Sequence, residues 1–570
     1  MPAKHRQPSL RYHLPSSHAR RTSESYEQPF IDDYDADEDQ VEQGTYRQHR
    51  VATQRQYKRL LRQPSFAFSF TPFGIKHTCW YRITLRRLLC CLVLTPFVLA
   101  LSVLISGVPP SYEDIRAYER LLPQHNLTRA KAEGHKYLKF RGHLWGHGLN
   151  NILQETILMS YLSHRTNRSF VYQDYVWSQL PFPYTVYDFA LRPSRIPFNA
   201  FISGPTAGGP ISFSDPDVHR IAVSDDFYNV VCPPSQVHLL PSRGAPHDTD
   251  GASYIQWWVD RLSTVPAITC LEIDADKDQV FDLWLFGEKR ILTLWDDLSR
   301  SSILQNFSWS HLVLSAVLRN LVILRPPSKQ ALYDSLFRPS VHLPISSSTE
   351  LLSHENVTFS QPGLPDLVAV HIRRGDFSRA CYRHAKYKST YMGLNQFQSF
   401  VDVFDPEPYI TRTPDANAKA SKKSDHQGND SPGVTDLESY YMAHCFPSIT
   451  QVVTRLHKIR RDNPGLKSVY IMSNAWGSWL RQLKKELMKR PSQSSAETLE
   501  GTDDIGGWEH VITSYDLVLD PQQRYIDMAV DMAIAEQARV FVGNGFSSAS
   551  SNVVMLRMAK GMDPRTNRFL

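Results

Sequence analysis

The chain has 570 residues, 42% of them hydrophobic, and carries 63 Lys and Arg against 57 Asp and Glu, a formal charge of +6. That length gives room for two or three domains with cores of their own. Residues 1–87 hold 15 basic and 9 acidic side chains, which leaves 48 of each sign in the remainder, so the main body is balanced and nucleic acid is excluded as a partner recognised through bulk charge.

Residues 1–87 have no hydrophobic periodicity over their first 75 positions and include an acidic run from Asp32 to Glu42. They read as a disordered cytoplasmic tail whose basic end suits an anionic leaflet. Residues 88–108 hold no charged side chain, and at about 1.5 Å per residue they match the roughly 30 Å hydrocarbon layer, which predicts one transmembrane helix. Arg47, Arg50, Arg55, Lys58, Arg59, Arg62, Lys76, Arg82, Arg86 and Arg87 precede it, with no acidic residue between Glu42 and Glu113. Positive flanks stay cytoplasmic. The expectation is a single-pass type II protein of the endoplasmic reticulum or Golgi with its large part lumenal. Five Asn-x-Ser/Thr sites after the span (Asn126, Asn167, Asn306, Asn356, Asn429) agree with a glycosylated lumenal part.

Residues 109–134 read as a stem. An N-terminal domain is expected over 135–360: Leu149, Ile152, Leu153, Ile157 and Tyr161 recur at helical spacing, and Ser169–Tyr172 follows as a strand. Arg290–Leu294 reads as a further strand and Leu312–Leu324 as a buried helix. A second domain is expected over 361–570, with strands at Val368–Ile372, Ser468–Met472 and Arg539–Val542 and a helix over Tyr525–Gln537. Polar insertions at 414–436 and 491–507 interrupt it. The resulting fold class is α/β: two Rossmann-like domains facing a cleft, preceded by the tail and the span. Cys79, Cys90 and Cys91 lie at or in the span, where lipid attachment is open. Cys232, Cys270, Cys381 and Cys445 allow three pairings, and one bridge per domain favours Cys232–Cys270 and Cys381–Cys445.

Two strand ends carry the chemistry. In Val368-Ala-Val-His371-Ile-Arg373-Arg374-Gly375-Asp376, alternation puts Val368, Val370 and Ile372 on one face, with His371 and Arg373 on the other. In Phe541-Val-Gly543-Asn544-Gly-Phe-Ser547-Ser548, a strand stops at a turn rich in amides and hydroxyls. Open α/β sheets bind nucleotides at the carboxyl ends of their strands. A guanidinium there grips a phosphate bidentately and stabilises charge on a leaving diphosphate. Asp274-Ala-Asp276 has the spacing of metal-dependent sugar transferases, but within the charged stretch Glu272–Asp278 it reads as a solvated loop. Trp257 and Trp258 read as packing residues. No zinc spacing and no Gly-x-Ser-x-Gly elbow is present.

His371-Ile-Arg373-Arg-Gly375-Asp-Phe-Ser-Arg-Ala-Cys381 resembles a segment of the GDP-fucose protein O-fucosyltransferases, as does Phe541-Val-Gly543-Asn544-Gly-Phe-Ser547-Ser548. Asp531 stands ten residues before Phe541, as an acidic residue does in that family. Gly146-His147-Gly148-Leu149-Asn150 is similar to its early glycine-rich turn. The first motif also resembles the α1,2- and α1,6-fucosyltransferases. The resemblance implies a two-Rossmann GT-B fold, metal-independent inverting transfer, GDP-fucose as donor, and no cofactor. It implies that Arg373 contacts the β-phosphate and glycosidic oxygen and that His371 contacts the nucleotide. Ser547 and Ser548 would bond the diphosphate, with Asp376, Asp531, Gly543 and Asn544 also on the donor side. Asn150 would stand near the donor sugar and the acceptor. Where one branch of the family has a Glu base, this chain has His147. A histidine near neutral pKa can take the acceptor's proton; if the departing diphosphate leaves a sugar cation needing little help, it only lines the site.

The expected function is transfer of fucose from GDP-fucose to a hydroxyl of Ser or Thr in a protein. Transfer to a glycan, or an inactive membrane-tethered carbohydrate-binding protein, are the alternatives.

Overall fold

The computed structural model describes residues 85–570 apart from 142–147, 188–189, 210–220, 247, 266–267, 275–279, 282, 327–362, 376, 411–435 and 490–505. His147, Asp376 and nearly all of both polar insertions therefore lie outside the described residues. The chain divides into Met1–Pro96 and Phe97–Leu570. A helix, α1 (Leu85–Ser106), falls on the expected span, and its described apolar side chains, Leu92 and Phe97 among them, are exposed. Among the described residues no helix is long and apolar enough to cross a membrane.

The larger unit is built on two five-stranded parallel sheets. The first has strands β1 (Tyr137–Arg141), β2 (Ser169–Tyr172), β3 (Val223–Ser224), β4 (His238–Pro241) and β5 (Cys270–Asp274), in the order β3-β2-β1-β5-β4. The expected helix α2 (Leu149–Arg165) follows β1 and is buried over Leu149, Asn150 and Ile152–Ser163. The second sheet has β6 (Leu364–Ile372), β7 (Ser468–Ser473), β8 (His510–Thr513), β9 (Ala538–Gly543) and β10 (Asn567–Phe569), in the order β8-β7-β6-β9-β10. From β6 the chain moves outward through β7 to β8, then returns to place β9 on the other flank of β6. The direction of winding therefore reverses between β6 and β9, where Ala369 pairs with Phe541 and Val370 with Val542.

Each face of the second sheet has its own apolar layer, as expected for parallel strands covered on both sides. Val368, Val370 and Ile372 pack with Val452, Leu456 and Ile459 of α6 (Ile449–Asp462) and Leu480, Leu483 and Leu487 of α7 (Gly477–Met488). Leu367, Ala369, Tyr470 and Phe541 face the other way, towards α8 (Asp527–Gln537) and α9 (Ser548–Ala559), in a core that continues into the first lobe. Cys381 of α4 (Phe377–Lys386) is bridged to Cys445 of α5 (Asp436–Cys445), and Cys232 to Cys270, one disulfide in each lobe.

Several expectations change. Arg290–Leu294 is not a strand: Lys289–Leu294 is a 3-10 helix that buries Ile291 and Leu294, three apart, instead of alternating. The buried helix expected over Leu312–Leu324 breaks at Asn320. There α3 (His311–Arg319) ends, and the Asn320 amide donates to the carbonyls of Ala316 and Val518. Asp274 ends strand β5, between β1 and the edge strand β4, and Glu272 is buried within it and paired with Arg141; Ala275 to Asp278 lie outside the described residues. Trp258 packs fully buried, edge to face with Trp257. Residues expected as a stem fold onto the lobe instead: Tyr112 and Ile115 join the core, and the helix Glu113–Arg120 packs above the ends of β2 and β3. There Arg116 pairs with Asp174 and Glu119. Burial, only partly offset by Arg116, pushes the Glu119 carboxyl up to about 7. His125 donates from Nδ1 to the Glu119 carbonyl and accepts at Nε2 from the Ser224 amide, and burial pushes its pKa down to about 4.

Candidate active site

The reversal between β6 and β9 is where an open α/β sheet leaves a crevice at its carboxyl edge. His371, second from last in β6, is 8% exposed, and its Nδ1 lies 2.9 Å from Ser550 Oγ of α9. That hydroxyl already accepts from the Asn544 amide at 2.9 Å. A hydroxyl has one proton and two lone pairs, so Ser550 can either donate to Nδ1 or accept from it, and in either tautomer the neutral ring keeps one N–H to give. Burial first, then the Arg373 charge, pushes the His371 pKa down to about 3. The ring is a neutral hydrogen-bond donor at physiological pH, not a proton carrier.

The two adjacent arginines have separated. Arg374 is buried between Phe446 and Trp479, its guanidinium carbon 4.1 and 4.2 Å from their centroids. Its Nη2 donates to the Pro447 carbonyl at 2.5 Å, and its backbone amide donates to Asn474 Oδ1 at 2.7 Å. It is a packing element. Arg373 is half-buried at the strand's end, its guanidinium 5.7 Å from the Phe377 ring. Alternation puts it on the side of the strand that bears His371, and its charge acts on that ring.

Across from them β9 runs into the turn 543–547 and then α9. A side chain at Gly543 would meet Ser550 at 3.0 Å, and one at Gly545 would strike the Tyr391 ring at 2.4 Å; both glycines are set by close approach. Asn544 is fully buried and spends its side chain inside the turn, donating to the Cys445 carbonyl and accepting from the Phe546 amide. Ser547 is the N-cap of α9 but makes no side-chain cap, and it and Ser548 are half-exposed. An uncapped helix start with two hydroxyls offers amides and dipole to an anion.

Asn150 reaches this region from the first lobe. It sits in the first turn of α2, with its Nδ2 2.8 Å from Met528 Sδ. The Asn552 amide of α9 donates to its carbonyl and to its Oδ1, at 2.9 and 3.2 Å. Asp531 faces the second sheet, accepting from Tyr470 at 2.5 Å and from Ser514 at 2.7 Å. Burial, reinforced by nearby Asp527, pushes its carboxyl up to about 7. Thus His371 and Asn150 meet α9 at Ser550 and Asn552, close to Ser547 and Ser548 at its start, and Arg373 follows His371 by two residues, whereas Asn544 and Asp531 brace the elements behind. Ser550 and Asn552 were missed by sequence reasoning. The polar run Ser547-Ser-Ala-Ser-Ser-Asn552 at the head of a buried helix was the signal for them. Among the described residues no group of three His, Cys, Asp or Glu is placed to hold a metal.

No protein-family model matches the chain, and no curated protein does. Among solved structures it is similar to POFUT1, a GDP-fucose protein O-fucosyltransferase, in complex with GDP. That likeness is 13% identical over 76% of this chain and 98% of that one, with a TM-score of 0.37. The complex of POFUT1 with GDP-fucose gives 12%, 76%, 98% and 0.36. A mutant of Arabidopsis thaliana FUT1 in complex with GDP gives 10%, 79%, 78% and 0.31. At these scores the reading of the cleft rests on this chain's own residues.

Proposed function

We propose that the chain is a type II membrane-anchored glycosyltransferase of the endoplasmic reticulum or Golgi. It moves fucose from GDP-fucose to the hydroxyl of a Ser or Thr in a protein, with inversion. One observation supports this: at the winding reversal of the second sheet a neutral His371 meets α9 at Ser550, near that helix's uncapped start, with the half-buried Arg373 two residues on. That is a cation, a neutral donor and a set of helix amides, which is what a nucleoside diphosphate requires. The choice of guanosine and fucose rests on the resemblance of the motifs at His371–Cys381 and Phe541–Ser548.

In this reading Arg373 and the α9 amides bind the diphosphate and stabilise its charge as the bond to the sugar breaks. His371 contacts the nucleotide, and Asn150 orients the sugar from the opposite lobe. Membrane anchoring rests on the apolar run 88–108 with its arginine-rich flank. The glycoprotein reading is supported by the exposure of Asn126, Asn167 and Asn306.

Calorimetric titration of the full chain with GDP tests the donor site; absence of binding would return the chain to the carbohydrate-binding class. GDP-fucose offered with a panel of peptides and glycans tests the acceptor. Labelled fucose on glycans alone would move the assignment to a glycan transferase.

A further inference from the structure

A second carboxylate stands one turn before Asp531 on the same face of α8. Asp527 opens that helix and its side chain is exposed, one residue before the Met528 whose sulfur meets Asn150. Its Oδ1 accepts from the Met528 amide at 2.8 Å, and among the described residues its Oδ2 takes no hydrogen bond. Asp531, one turn on, is consumed by Tyr470 and Ser514. The first lobe closes over this point with the antiparallel hairpin Tyr184–Tyr187 and Ala190–Pro193. The Tyr525 hydroxyl donates to the Leu191 carbonyl at 3.3 Å, and the Arg192 guanidinium lies 5.1 Å over the Trp177 ring. Asp527 is thus exposed and stands between two residues, Tyr525 and Met528, that each touch the first lobe.

We propose that Asp527 receives the proton of the acceptor hydroxyl in the transfer, an inference that rests on the donor reading above. The acceptor oxygen forms a bond to the anomeric carbon of fucose. The bond from that carbon to the β-phosphate oxygen breaks, and its electron pair leaves on GDP beside Arg373. The hydroxyl proton passes to Asp527 Oδ2. Three observations carry the assignment: the open oxygen, the neighbouring contact of Met528 with Asn150, and the station of Asn150 against α9, whose first turn is the diphosphate site.

The charges around Asp527 suit the role. Although its surface is open, the protein packed around it desolvates the carboxyl and raises its pKa, and the Met528 amide and then Arg192 from the hairpin oppose the rise. Asp531 on its own helix, Tyr470 from the sheet and Tyr112 from the segment ahead of the first lobe also feel its charge. A carboxylate moved towards neutrality is the stronger base.

The test uses the full chain, with GDP as binding probe and GDP-fucose plus water as the turnover probe. Asp527→Asn is expected to lower GDP release about 100-fold, while the Kd for GDP stays within about twofold. The fall of wild-type turnover on the acid side should vanish in that variant, and Asp527→Glu should restore part of the rate. The proposal is overturned by turnover of Asp527→Asn within about threefold of wild type, far short of a general-base effect. Equal loss of GDP affinity and turnover overturns it too, as does wild type that binds GDP but releases none from GDP-fucose. Wild type that binds no GDP at all sinks the donor reading and this inference with it.

Discussion

The two lobes are built on similar parallel sheets but divide their labour. In the second lobe the carboxyl edge of the sheet ends in groups held ready: a neutral imidazole, a half-exposed guanidinium and an uncapped helix. In the first lobe part of the corresponding edge is roofed over. The helix Glu113–Arg120 and the Arg116–Asp174–Glu119 cluster pack above the ends of β2 and β3. The start of α2, with Asn150, stays turned to the partner lobe, where it meets Met528 and Asn552. The difference teaches that similar sheets become a ligand site or a scaffold according to what covers their strand ends.

The sharpest way to break this comparison is Arg373→Ala. We expect turnover of GDP-fucose to fall about 1000-fold, with thermal stability little changed, because the side chain is half-exposed. A drop in Tm with unchanged turnover would put it in the scaffold instead. Arg373→Lys should recover only part of the loss, since an ammonium lacks the planar fork.

Next in size is the disulfide of the second lobe. Replacing Cys381 and Cys445 by Ser opens a loop of 64 residues, worth about 4 kcal/mol by chain entropy. Denaturant unfolding should register it, with GDP affinity falling only as far as the fold does.

The first lobe should answer to pH instead. Glu119 has its folded pKa raised to about 7 from an ordinary 4.5. Its contribution to stability is therefore fully present below about 4.5 and lost as pH rises through about 7, a swing on the order of 3 kcal/mol. Glu119→Gln should raise Tm at pH 8 relative to wild type and leave little difference at pH 5. A parallel shift at both values would show that the carboxyl is not titrating in this range.

The smallest effect is expected at the seam. Asn552→Ala removes two hydrogen bonds to Asn150 and should cost about 1 to 2 kcal/mol of stability. If Asn150 is oriented by that contact, the KM for donor should rise without a matching loss of GDP affinity.

The lobes also differed in how far the sequence disclosed them. In the second, Leu367–Val370 of β6 and Val540–Val542 of β9 are apolar runs that lead into distinctive polar turns, so strand and facing were both visible. In the first, β1 is Tyr-Leu-Lys-Phe-Arg and β5 is Cys-Leu-Glu-Ile-Asp. Their charges look like loop but are used in pairs: Arg141 with Glu272, and Lys139 with Asp225 at 2.6 Å. Salt bridges between segments distant in sequence leave no local periodicity to find. The same is true of Asp527: its importance depends on a hairpin more than 300 residues earlier, and nothing within α8 marks it apart from Asp531.

The burial of Arg374 between Phe446 and Trp479 bears on how this segment tolerates change. A doubled arginine suggests redundancy, yet one member is already walled in by aromatic rings and cannot swing round to deputise. A one-residue insertion ahead of Arg373 would shift the pair, forcing a charged head into the aromatic slot's place or the slot's occupant into the crevice. The strand therefore has no spare guanidinium, and its length is as constrained as its composition.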